Sequence, residues 1–166
     1  MRRAGGLRAL ARTGATTNEH IVDAGDGVRL LGLHSSIPGR VPRGLVLLLH
    51  GWEGSIESAY MRHTAARLLS EGFDVFRLNF RDHGETHHLN VGLFHSCRLA
   101  EVVQAAKWVA EKFPAPAFLA AGYSLGGNFV LRLALAAPAA GIPLRHAVAV
   151  CPAVDPSAVM RALESG

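Results

Sequence analysis

One serine concentrates the chemistry of this sequence. Ser124 lies in Gly122-Tyr123-Ser124-Leu125-Gly126, a G-x-S-x-G run followed by a further glycine, Gly127. A serine hydroxyl is a poor nucleophile by itself, so such a run works by geometry. A strand turns into a helix so sharply that the central residue is strained and its oxygen projects above the sheet. Side chains at the flanking glycines would collide with the neighbouring strand and helix. The helix that follows also points its N-terminus at the serine, which favours developing negative charge. The apolar run Ala117–Ala121 before the motif and the helical stretch Asn128–Ala137 after it supply the strand–turn–helix setting that the motif demands. The chemistry this predicts is acyl transfer through Ser124; the plain alternative is a structural glycine turn.

A second candidate is His50-Gly51-Trp52, directly after the apolar run Leu45–Leu49. His50 could be read as a general base, but its place at the end of a buried strand suits a residue that braces the loop by hydrogen bonding. His83, His87, His88 and His95 crowd one segment and raise a metal site. Gly84 and the absence of apolar periodicity argue for a polar loop instead, and no H-E-x-x-H pattern is present. His95 and Ser96 are candidates to brace a loop facing the serine. Glu53, Asp82 and Glu85 read better as solvated loop charges than as an acid–base set. Gly122–Gly127 lacks the lysine of a P-loop, so no nucleotide site is expected. The expectation is no cofactor and no metal.

The elements that must position Ser124 alternate in type. His20–Ala24 and Val28–His34 are β-type runs around the turn Gly25-Asp26-Gly27, a hairpin signal. Leu45–Leu49 is uninterrupted and apolar, as in a central parallel strand buried on both faces. Ser58–Ser70 has helical spacing and Gly72 stops it, and Phe73–Phe80 reads as the next strand. Leu99–Phe113 carries an apolar stripe ended by Pro114; Leu125–Ala137 is helical, Ala147–Cys151 a strand, and Ser157–Leu163 begins a helix. Four strand–helix alternations predict an α/β fold with a mostly parallel, doubly wound sheet behind an N-terminal β-hairpin.

These motifs, taken together, resemble the YheT-like branch of the α/β hydrolases, a group of esterases and abhydrolase-domain lipases. The resemblance spans roughly residues 20 to 160. It rests on His50-Gly51-Trp52-Glu53-Gly54-Ser55 with Ser58 and Tyr60, then Arg81, His95-Ser96, and Gly122 through Asn128. The sequence departs from the family pattern at Arg81-Asp82-His83-Gly84-Glu85 and at Phe94. The resemblance implies hydrolysis of short- or medium-chain acyl esters or acylglycerols through an acyl-Ser124 intermediate. It places the oxyanion at the backbone N–H groups of Trp52 and Leu125, with His50, Gly51, Gly122, Gly126 and Gly127 as support.

In that fold the triad follows the order Ser, acid, His. After Ser124 the sole histidine is His146, at the N-terminal end of a strand, where it is a poor base. Asp155 follows a strand but suits an N-cap better than a catalytic acid. The acid and base are therefore expected beyond residue 166, with the cap or lid beginning near 157–166 and the C-terminal strands missing. A truncated gene product, a split gene or a deliberately shortened chain would each account for this. The last strand would then be an exposed edge open to self-association.

The chain has 166 residues, 49% hydrophobic and 18% charged, which suits one soluble domain with a real core. Its formal charge of +4 comes from Arg2, Arg3, Arg8 and Arg12, so no basic face for nucleic acid is expected in the folded part. Residues 1–18 read as a flexible basic tail and 19–166 as the core domain. No apolar run approaches a membrane span of roughly 20 residues. Two well-separated cysteines, Cys97 and Cys151, point to reduced thiols in a cytoplasm.

Overall fold

The computed structural model describes residues 2–165; Met1 and Gly166 lie outside the described residues. Six strands form a mixed sheet: β1 (Thr16–Asp23), β2 (Arg29–Ser36), β3 (Leu45–Leu49), β4 (Asp74–Leu78), β5 (Phe118–Tyr123) and β6 (Leu144–Val150). Their spatial order is β1-β2-β4-β3-β5-β6. β1 and β2 pair antiparallel around Gly25-Asp26-Gly27, whose three residues all have positive φ. β2 joins β4 antiparallel, and the β4, β3, β5 and β6 pairings are parallel. The apolar content of β3 follows from this central place, since all five of its residues are buried.

Helices cover both faces, and residue parity along the strands selects the partner. Leu45, Leu47 and Leu49 pack with α3 (Leu99–Lys112) and α4 (Leu125–Ala140), while Val46 and Leu48 pack with α2 (Ala59–Ser70). Phe76, Leu78 and Phe80 enter the first of these cores, burying large aromatic and aliphatic area at about 25 cal/mol per Å2. The final helix, α5 (Pro156–Ser165), is capped by Asp155, whose Oδ1 accepts from Ala158 N–H at 2.9 Å.

The N-terminal segment differs from the flexible tail expected for residues 1–18. Arg2–Ala11 forms a helix, α1, and β1 begins at Thr16, inside that segment. The helix seats on α2: a Cβ on Gly6 would stand 2.9 Å from the Arg62 Cβ, and Leu10 and Ala15 pack against the α2-side core. Weak amphipathicity over ten residues concealed this, because the helix is held by tertiary contact rather than by propensity. α4 also runs three residues past Ala137, through Pro138, to a left-handed Gly141 at φ 67°. Gly141 N–H and Ile142 N–H close that end on the carbonyls of Pro138 and Ala137.

Candidate active site

Ser124 occupies the single residue between β5 and α4, at φ 52° and ψ −115°, and its side chain is exposed. That conformation is costly for any residue with a Cβ and survives because the surroundings over-determine it. Ser124 N–H donates to Val150 O, and Ser124 O accepts from Asn128 N–H and Ala153 N–H. Asn128, nine-tenths buried, adds a bond from Nδ2 to Ala153 O at 2.9 Å, tying the loop after β6 to the first turn of α4.

The glycines are where backbone meets backbone. A Cβ on Gly122 would stand 2.3 Å from Gly126 O, and one on Gly126 would stand 2.4 Å from His50 O and 2.5 Å from Leu49 O. Gly127 packs against Pro152. Gly51 brings the other loop to the serine: a Cβ there would lie 3.4 Å from the Ser124 Cβ and 3.3 Å from Tyr123 O. Sequence positions 51 and 124 thus become neighbours, because β3 and β5 pair in register from Leu45–Phe118 to Leu49–Gly122.

His50 is fully buried, and both ring nitrogens are engaged. Nδ1 faces Gly51 O at 2.7 Å and Nε2 accepts from Phe80 N–H at 3.2 Å, which requires the neutral Nδ1–H tautomer. Burial lowers its pKa to about 4, against a smaller raising effect of the Gly51 carbonyl bond. An imidazole used in this way ties the start of the loop after β3 to the segment after β4 and has no lone pair for a serine proton.

Trp52 is half-exposed, and the next residue, Glu53, has φ 52°. Leu125 is the first residue of α4 and its side chain is buried. Among the described residues, neither the Trp52 N–H nor the Leu125 N–H donates to a protein acceptor. Trp52 borders a cleft of about 360 Å3 with Asp82, His83, Leu93 and Phe94.

Beyond these positions, tertiary structure recruits further residues that motif reading leaves without a role. Tyr60 Oη accepts from Gly51 N–H at 2.9 Å and packs its ring on Tyr123. Ile56 is pinned at both backbone groups: its N–H donates to Asn79 Oδ1 at 2.8 Å, and its carbonyl accepts from Arg77 Nη1 at 2.7 Å. Glu101 of α3 receives Arg81 Nε and Nη2 and also Arg98 Nη1, fixing the loop after β4. The signal for Arg77 and Asn79 was present: both stand between apolar residues of the Phe73–Phe80 run, and polar groups buried there need partners.

Other candidates fall elsewhere. His83 Nδ1 lies 2.8 Å from Arg81 O, and the ring packs on Phe94; His87 pairs with Asp82. Among the described residues no group of three His, Cys, Asp or Glu side chains is arranged to hold a metal ion. Ser96 O accepts from Arg132 of α4, and His95 is exposed beside a cavity lined by Ala24, Gly25 and Glu101. His146 pairs with Leu119 at the start of β5, four residues from the strand end that carries Ser124. Among the described residues no histidine or carboxylate hydrogen-bonds the Ser124 hydroxyl. No helix among the described residues is long and apolar enough to cross a membrane.

Comparison with known proteins follows this geometry. The chain is 27% identical over 107 residues to the embryogenesis-associated protein EMB8 of Picea glauca, covering 64% of this chain and 23% of that protein. Its fold is similar to the Pyrococcus furiosus esterase Pf2001, with a TM-score of 0.68 at 21% identity, over 86% of this chain and 51% of the other. It is similar also to an a/b serine hydrolase without lid from Xanthomonas campestris, with a TM-score of 0.62 at 23% identity, over 78% of this chain and 60% of the other. The chain spans 51% and 60% of the length of these two solved structures, and at such identities the likeness concerns the fold. The family model for the alpha/beta hydrolase fold matches residues 44–165, the stretch that runs from the His50 loop through the Ser124 turn, and the chain belongs to that family.

Proposed function

We propose that Ser124 is the nucleophile of a serine hydrolase acting on carboxylic esters. The observation that carries this reading is the exposed Ser124 at φ 52°, with Gly51 of the His50 loop against it. Its Oγ attacks the ester carbonyl carbon and its proton passes to a general base. The carbonyl oxygen takes the negative charge and accepts from the Trp52 and Leu125 amides. Collapse expels the alcohol, reprotonated by the same base, and water then releases the acid from acyl-Ser124. Each donor to the oxyanion is worth roughly a hundredfold or more in rate.

The base and its orienting acid lie, in this reading, outside the 166 residues, since His50, His83 and His146 are each placed away from the serine oxygen or bonded elsewhere. The YheT-like motifs favour short- or medium-chain acyl esters or acylglycerols, with a cap or lid beginning near residue 157. Two exposed, unpaired cysteines suit a reducing cytoplasm.

A second reading has its own observation. β6 is exposed along nearly its whole length and, among the described residues, pairs on one side alone. A chain without catalytic partners could act there as an interaction module, associating with itself through that edge.

Fluorophosphonate labelling separates the two, because it needs an activated serine. Protein produced together with the sequence encoded downstream of codon 166 is expected to be labelled, and Ser124→Ala to lose the label. A downstream sequence with no Asp and His following predicted strands, and no labelling in any form, would sink the hydrolase reading.

A further inference from the structure

A cavity of about 310 Å3 lies between α1 and the sheet, on the face that carries α2. That size falls at the lower end of small-molecule pockets, about 300–1,000 Å3. Its polar end is made by Arg62 of α2 and Arg77 of β4, with Glu57 beside them. Its remaining walls are largely apolar: Leu7, Leu10 and Ala11 of α1, closed by Leu33 of β2.

Arg77 is the group that needs explaining. Its side chain is 2% exposed in an interior strand, where a charge is costly unless paired and hydrogen-bonded. Nη1 is used by the Ile56 carbonyl, and Nε is buried with no hydrogen-bond partner. The carboxylate nearest to it, Glu57, is 4.0 Å away, half-exposed, and ion-paired with Arg62. Among the described residues Glu57 is the cavity's one acidic wall, set against two guanidinium groups. Burial, and then Arg62, lower the Arg77 pKa to about 10, which still leaves it charged at neutral pH. The cavity therefore joins an under-neutralised cation to an apolar wall.

We propose that this cavity binds a carboxylate-headed acyl chain of the fatty-acid class, with the carboxylate against Arg77 and the tail along Leu7, Leu10 and Leu33. The tail would cover Leu7, which is 55% exposed without it. The site is distinct from Ser124: α4 and its core lie on the opposite face of the sheet from α2. It is nonetheless linked to the loop after Trp52, because Arg77 holds Ile56 in that loop.

Isothermal titration of the purified protein with octanoate, compared with octan-1-ol, tests the site. Octanoate is expected to bind saturably, and the alcohol at least tenfold more weakly. Arg77→Met is expected to weaken octanoate at least tenfold. Ala11→Trp, an exposed position on α1 that fills the apolar end, is expected to do the same with an unchanged circular dichroism spectrum, and it decides the matter should Arg77→Met fail to fold. Ser124→Ala is expected to bind octanoate as the parent does, so this outcome is separate from the hydrolase reading. No saturable binding, equal affinity for octanol, or undiminished binding by Ala11→Trp would overturn the proposal.

Discussion

The turn at Ser124 and the strand β6 lie side by side in the sheet, yet they are built on opposite terms. Around Ser124, backbone approaches backbone so closely that Gly122 and Gly126 leave no room for one carbon, and His50, Tyr60 and Asn128 occupy the local polar groups. Along β6, from Arg145 to Val148, every residue is exposed, and α5 beyond it carries half-exposed Val159 and Met160. The lesson is that a strained backbone conformation is held by crowding from several elements at once. The adjoining strand is held by its ladder to β5 and its contacts with α4, and leaves its outer surface for something else to cover.

That contrast can be broken most severely at Gly126. Gly126→Val drives side-chain carbons into the carbonyls of Leu49 and His50, so loss of a cooperative thermal transition in circular dichroism is the expected result. Retention of a transition within a few degrees of the parent would show that the crowding is not a constraint.

Acid should act on the crowded half next. His50 and His34 both have pKa values lowered to about 4, chiefly by burial, whereas an unfolded histidine titrates near 6.5. Between these values the unfolded chain binds more protons, so stability is full above pH 6.5 and falls as pH drops toward 4. The expected loss at pH 5 is about 2 kcal/mol for His50 and less for the more open His34, read as a shift in urea midpoint relative to pH 7.5. A His50→Gln variant should flatten the part of this dependence that belongs to the loop.

The strain at Ser124 has the opposite sign. Ser124→Gly removes the Cβ from a residue with positive φ and is expected to stabilise the protein by about 1 kcal/mol, measured by chemical denaturation, while removing the proposed nucleophile. Destabilisation would mean that the hydroxyl itself contributes to the fold.

The smallest effect is expected on β6. Val148→Lys places a charge at an exposed position and should change stability by no more than about 0.5 kcal/mol. It should also lower any concentration-dependent association seen by sedimentation, since charged side chains blunt sheet edges. A large loss of stability would show that this face is covered in solution.

Much of this contrast is legible in local sequence. Strand β3 could be bounded from its unbroken apolar run, and the turn at Ser124 from its glycines, because each is a short-range consequence of sterics and burial. The hairpin turn was equally local, with positive φ at Gly25, Asp26 and Gly27. Helix α1 was not, since its ten residues gain stability from contact with α2 and carry a weak periodic signal. The end of α4 shifted for a similar reason: Pro138 is tolerated in the last turns, and the capping bonds at Gly141 and Ile142 set the stop.

What the sequence determined by itself is the serine turn and the order of the elements, because a G-x-S-x-G turn and alternating strand and helix periods follow from backbone sterics within a few residues. Only the tertiary structure decided which distant groups meet. Register between β3 and β5 sets Gly51 against Ser124, and the two nitrogens of His50 are claimed by Gly51 and Phe80. Arg77 and Asn79 take hold of Ile56 across more than twenty residues of chain. Such contacts depend on strand pairing and on the need of every buried polar group for a partner, and neither is written within any one stretch of sequence.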